Sequence, residues 1–197
     1  PGGLNHVFEQ ATHDIVGKAL KVPVHKLLGG AYKSKVPVSA WSPHHGAENP
    51  EKTAVIAKLA IDMGFNVIKL KARSWDIVET VEAIAKTAGP DFGIVVDPNT
   101  EFGHSSTAIK LARKLDRFNI ICFEDPIPKW NLDWYVLLRR KIDIPLALHV
   151  VGTDVVNAIK VDACDIINTG GTMHEFMKYT GIAELAGIPV WHGSGND

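Results

Sequence analysis

Val67-Ile-Lys-Leu-Lys71, Ile94-Val-Val-Asp97 and Ile120-Ile-Cys-Phe-Glu124 share one pattern: a short β-branched run that ends in a charged side chain. Runs of this kind between Gly, Pro, Asn and Asp are strand signals. Four more occur, at 36–41, 146–149, 164–168 and 189–192. The runs at 67, 94, 120 and 146 begin 26 or 27 residues apart, which is room for one strand, one helix and two short loops. The step of 18 residues from Leu146 to Cys164 leaves space for a short helix only.

Between the runs the apolar period becomes helical. Pro50 suits a first helical position, Ala54, Ala57 and Ile61 follow on one face, and Gly64 closes the segment. Ile77, Val81 and Ile84 make a second face, and Ala108, Ala112 and Leu115 a third after the cap candidates Ser105 and Ser106. Thr172 opens a last helix that stops at Gly187, and residues 8–20 read as a helix ahead of the first strand. Alternating strand and helix implies parallel crossovers, hence an open doubly wound sheet or a closed barrel. Polar residues decide between them. Lys69, Lys71, Asp97, Asn99, Glu124, His149 and His192 all fall at strand C-terminal ends, where a barrel gathers its functional groups. No glycine-rich phosphate loop follows the first strand, which weighs against the open nucleotide-binding alternative. The expected fold class is therefore α/β, a TIM-type (β/α) barrel with about seven strands.

Composition narrows the class of partner. The chain has 197 residues, 46% hydrophobic and 22% charged, as a globular domain does. With 21 Lys plus Arg against 22 Asp plus Glu, no excess field exists for nucleic acid or anionic lipid. No run of apolar residues reaches membrane-spanning length, and no basic-then-apolar leader opens the chain, so a cytoplasmic protein acting on a small molecule is expected. Cys122 and Cys164 sit in apolar runs and read as buried free thiols.

Strand periodicity puts Lys69 and Lys71 on one face and Ile68 and Leu70 on the other. Two ammonium groups side by side disfavour each other's charge, so one of them is expected to have a lowered pKa and to serve as a base. A Lys-x-Lys at an exposed strand end is the plainer reading of the same residues. Asp97 and Glu124 end consecutive strands, which in a barrel makes them neighbours able to share a hard cation such as Mg2+. Each also precedes a proline, so turn chemistry accounts for either motif alone. Asp165 and His192 lie in the sixth and seventh runs, where an Asp-oriented imidazole is geometrically open to them, and a structural histidine is the alternative. Trp41, with His44 and His45 after it, lies on the same rim.

The order of these motifs resembles the enolase superfamily, in its mandelate racemase and muconate-lactonizing branch, over nearly the whole chain. Residues 11–30 resemble the segment leading from that family's capping domain into the barrel. Lys69-Leu-Lys71 resembles its second-strand lysine motif, Asp97-Pro-Asn99 its third-strand metal ligand, and Phe123-Glu124-Asp-Pro126 its fourth-strand ligand. The resemblance implies residues 1–30 as the end of a capping domain and 31–197 as a partial barrel. It implies Mg2+ as cofactor, a small-molecule carboxylate as substrate, and an enediolate formed by removal of the proton α to that carboxylate. Lys71 is then the base and Lys69 its neighbour on the substrate carboxylate. Asp165 with His192 is the acid/base pair of the opposite face. From their place at the strand ends rather than from the resemblance, Trp41, His45 and Asn99 are expected to be substrate contacts. The fifth strand departs from the family. It offers His149 where Glu, Asp or Asn supplies the third ligand, and imidazole suits a softer ion than Mg2+. His149 is thus a metal-site residue of unsettled role, with Asp154, water or a substrate contact as alternatives.

The function expected is a Mg2+-dependent dehydratase of a hydroxylated carboxylic acid, such as a sugar acid or a hydroxyproline-like compound. A racemase or epimerase of the same class is the alternative, and a catalytically silent barrel or binding scaffold a second one. The chain is expected to be a fragment without an eighth strand or most of the cap, with activity impaired unless the missing parts come from elsewhere. A homo-oligomer is expected of the full-length form.

Overall fold

In a computed structural model of the chain, which describes residues 3–43 and 50–192, every expected strand is present. The elements run α1 (Gly3–Leu20), α2 (Val24–Leu27), β1 (Ala40–Ser42), α3 (Pro50–Asp62), β2 (Val67–Lys71), α4 (Ile77–Ala88), β3 (Gly93–Asp97) and α5 (Ser105–Leu115). Then come β4 (Ile120–Glu124), α6 (Leu132–Arg139), β5 (Leu146–His149), α7 (Thr153–Lys160), β6 (Ile166–Thr169), α8 (Met173–Leu185) and β7 (Val190–His192). Strands neighbour one another in chain order in a seven-stranded sheet. The pairings of β1 with β2, β2 with β3, β3 with β4, β4 with β5 and β6 with β7 are parallel. A strand order that follows chain order, with a helix between successive strands, is the succession of a (β/α) barrel.

The chain divides into two compact units, one of residues 38–148 and 158–166, the other of 1–37, 149–157 and 167–197. In the first, β2 alternates as its sequence does. Ile68 and Leu70 are buried in a core that includes Ala57 and Ala60 of α3 and Val81 and Ile84 of α4, while Lys69 and Lys71 keep partial exposure. β3 is buried throughout, as a strand covered on both faces must be. It starts at Gly93 for a steric reason: a Cβ there would lie 3.0 Å from side-chain carbons of Ile121 and Val67.

In the second unit, α8 is held at its N-terminus by two carboxylates. Thr172 and Glu175 form a reciprocal capping box, and Glu9 of α1 accepts from the Met173 amide at 2.6 Å and the His174 amide at 3.4 Å. The helix gives way at Gly187, which adopts a φ of 71°.

Two strand boundaries differ from those expected. The first strand is only Ala40–Ser42, because Val36 and Val38 are exposed and Pro37 between them has no amide N–H to give a neighbouring strand. The sixth begins at Ile166 rather than Cys164, which puts Asp165 ahead of it. Among the described residues, no helix is long and apolar enough to cross a membrane.

Candidate functional site

Lys71, Asp97 and Glu124 are the last residues of β2, β3 and β4, and parallel register sets Lys71 opposite Asp97. That register turns strand ends into a cluster. The Lys71 Nζ donates to Asp97 Oδ2 at 2.6 Å, and the Lys69 Nζ lies 3.0 Å from the same oxygen and 2.7 Å from Glu124 Oε1. The other Asp97 oxygen, Oδ1, accepts from the backbone amide of Asn99 at 3.0 Å. Asp97 and Glu124 are essentially buried, at 0% and 2% exposure, so the two charges depend on these partners.

The expected fall in lysine pKa does not appear at Lys69. Burial lowers it and is the largest single influence, but the charges of Glu124 and Asp97 and their hydrogen bonds together outweigh burial, and the ammonium ends above the ordinary lysine range. Lys69 does not face Lys71 alone, because two carboxylates lie beside it. Lys69 is therefore a cation at neutral pH, suited to an anion and not to proton abstraction.

The donors fit a hard divalent cation. Asp97 and Glu124 offer oxygen only, the ligand type of Mg2+, and one ammonium already touches both, so a single cationic centre reaches the pair. No set of three His, Cys, Asp or Glu side chains gathers into a metal cage among the described residues.

Asp165 calls for correction. It lies at the opening end of β6, where its amide donates to the carbonyl of Leu146, the first residue of β5. Its Oδ1 accepts from Arg139 Nε at 3.2 Å and from the Arg139 terminal nitrogen at 2.6 Å, and its Oδ2 accepts from the Leu146 amide at 2.8 Å. Lys71, Asp97 and Glu124 are at the closing ends of their strands, so Asp165 is at the wrong end for their chemistry. A strand start two residues later than expected is the cause.

The remaining candidates are placed as follows. Trp41 pairs in register with Lys69, hence on the same face, and is half exposed. Asn99 is exposed, and its amide serves Asp97. His45 lies outside the described residues. In the other unit, His149 ends β5 and is exposed, and His192 ends β7 with its ring edge-on to Phe176 at a centroid distance of 5.3 Å. Both thiols are buried. Burial first, then the charge of Glu124, pushes Cys122 far above the ordinary thiol range, and burial and the neighbouring Asp165 push Cys164 up to about 12.

Asp125 and Lys129 were not anticipated. Asp125 is buried, follows Glu124 directly and pairs with Lys129 at 3.0 Å. The signal was an acidic residue before Pro126, which turn chemistry equally explains.

Comparison with known proteins gives the family. Residues 52–197 match the family model of enolase C-terminal domain-like proteins. The chain belongs to the enolase superfamily, in its mandelate racemase and muconate-lactonizing branch. The N-succinyl-L-Arg/Lys racemase of Bacillus cereus is 30% identical, with 93% of this chain and 52% of the relative covered. Arabinonate dehydratase of Saccharolobus solfataricus is also 30% identical, over 92% of this chain and 51% of the relative. The crystal structure of the Bacillus cereus racemase superposes with a TM-score of 0.85 at 29% identity, covering 94% of this chain and 52% of that one. The 3,6-anhydro-D-galactonate cycloisomerase of Zobellia galactanivorans gives 0.84 at 26% identity, covering 93% and 53%. This superfamily member thus spans about half the length of the relatives it matches, and its seven strands are those of the family's (β/α) barrel.

Proposed function

We propose that this enolase-superfamily chain carries the proton-abstracting wall of a Mg2+-dependent dehydratase acting on a hydroxylated carboxylic acid of the sugar-acid class. One observation carries the reading: buried Asp97 and Glu124 share the Lys69 ammonium while Lys71 stands on Asp97, which puts acids and amines of three successive strands in one place. Asp97 and Glu124 would hold the Mg2+, which when bound supplies positive charge against the negative charge developing on the substrate carboxylate. Lys71 takes the α-proton on its Nζ. Lys69, kept protonated by the carboxylates beside it, binds a substrate carboxylate oxygen. A general acid gives a proton to the departing β-hydroxyl, which leaves as water. The arabinonate dehydratase among the relatives supports the substrate class.

The test is incubation of the protein with Mg2+ and a panel of aldonic and aldaric acids in D2O, followed by NMR. Water loss with formation of a 2-keto-3-deoxy acid is expected, and Lys71→Ala should lower the rate at least 1,000-fold, the order of a lost general base and its positioning. Deuterium entering recovered substrate without water loss selects the racemase reading, which the equally similar Bacillus cereus relative favours. Neither signal with any acid of the panel, together with no heat on titration with MgCl2, refutes both.

A further inference from the structure

Left-handed backbone follows both β3 and β4, after β3 at the centre of a turn closed by the Glu101 amide on the Pro98 carbonyl at 3.0 Å. Asn99, Thr100 and Asp125 all have positive φ, at 48°, 71° and 44°. For Thr100 this is costly because it is β-branched, and for Asp125 because a residue before proline is also steered away from helical ψ values. Such conformations persist only where the surroundings over-determine them, and they concentrate at functional sites.

The surroundings here are specific. The Asp125 amide donates to the Ala147 carbonyl at 3.0 Å, and its carbonyl accepts from the Thr100 amide at 2.7 Å. Its buried carboxylate faces the Lys129 ammonium one helical turn later in sequence. Tyr135, itself wholly buried, donates its hydroxyl to the Ile127 carbonyl in the same loop, and Phe102 stands edge-on to Phe123 at 5.6 Å. The loop after β3 is thus tied to the loop after β4 through the Thr100–Asp125 bond. Asn99, the residue before Thr100, has its amide on Asp97 Oδ1, and Asp125 follows Glu124.

We propose that Asp125 and Lys129 are positioning residues for the cation pair: their contact fixes the left-handed Asp125 backbone, which holds Thr100, and so sets the Asn99 amide that aims Asp97 toward Glu124. The proposal rests on the reading of Asp97 and Glu124 as the Mg2+ carboxylates. Lys129 is more than a third exposed, so its removal leaves the core packing in place.

Two measurements on the full chain test it: calorimetric titration with MgCl2, and hydrogen exchange of the Asn99 and Thr100 amides without metal. Lys129→Met should weaken Mg2+ binding about 10-fold or more, the usual effect of losing a group that orients a ligand, and Lys129→Arg should restore it. The same Met variant should speed exchange at Thr100 while the amides of β2 keep their rates. Asp125→Asn, which keeps the side-chain shape, should act in the same direction. Wild-type binding with unaltered affinity in both Lys129→Met and Asp125→Asn overturns this proposal and leaves the cation reading intact. No Mg2+ heat from the wild-type chain overturns the cation reading, and the positioning claim with it.

Discussion

Replacing Asp165 by alanine separates a fold staple from a catalytic group. The carboxylate receives two hydrogen bonds from Arg139 and one from the Leu146 amide, and Arg139 also donates to the Asp162 carbonyl at 2.9 Å. Leu146 is fully buried, so its amide loses an acceptor that water cannot easily replace, at a cost of about 1–3 kcal/mol. The Arg139 pair is one-quarter to one-third exposed, and solvent screening limits it to about 1 kcal/mol. Together Asp165→Ala should destabilise by about 3 kcal/mol, or roughly 6–12 °C in Tm for a domain of this size. Differential scanning calorimetry gives the shift, and Mg2+ titration of the folded variant below its Tm gives the affinity, expected to be unchanged. A variant with wild-type Tm that has lost turnover on a substrate of the wild-type protein would refute the structural role and return Asp165 to the acid/base pair.

Two further outcomes follow from local geometry. Gly93→Ala forces a methyl to within 3.0 Å of Ile121 and Val67, both on strands flanking β3, and should cost about 1–3 kcal/mol by overpacking; a urea midpoint equal to or above wild type shows that the neighbours give way freely. Glu175 accepts from the Thr172 amide and hydroxyl, which hold its carboxyl below the ordinary glutamate range. Its folded pKa being the lower one, the capping contribution is complete above the unfolded glutamate pKa and is lost as pH falls through the folded value. An NMR titration of the Glu175 carboxyl carbon should show a depressed midpoint that Thr172→Ala raises, and an ordinary midpoint in the wild type counts against the capping box.

What was legible in the sequence was whatever repeats. Strand ends one repeat apart become spatial neighbours in a parallel sheet, so Lys71, Asp97 and Glu124 were brought together by spacing alone. Alternation in Val67–Lys71 likewise fixed which side chains enter the core. Asp165 was misplaced because a β-branched run does not mark its own first residue: Cys164 and Asp165 read as strand, whereas Arg139, 26 residues earlier, captures the carboxylate before the strand begins. The direction of the Lys69 shift was missed for a related reason. Like-charge repulsion between Lys69 and Lys71 is visible in one strand, but the carboxylates that reverse it come from the next two, and their distances exist only once the register is set. Asp125 is the extreme case, since its left-handed backbone is held by a carbonyl on one neighbouring strand and an amide beyond the other. Periodicity therefore identifies which groups meet, while the protonation state and aim of each group depend on the least periodic residues, those between one strand end and the next helix.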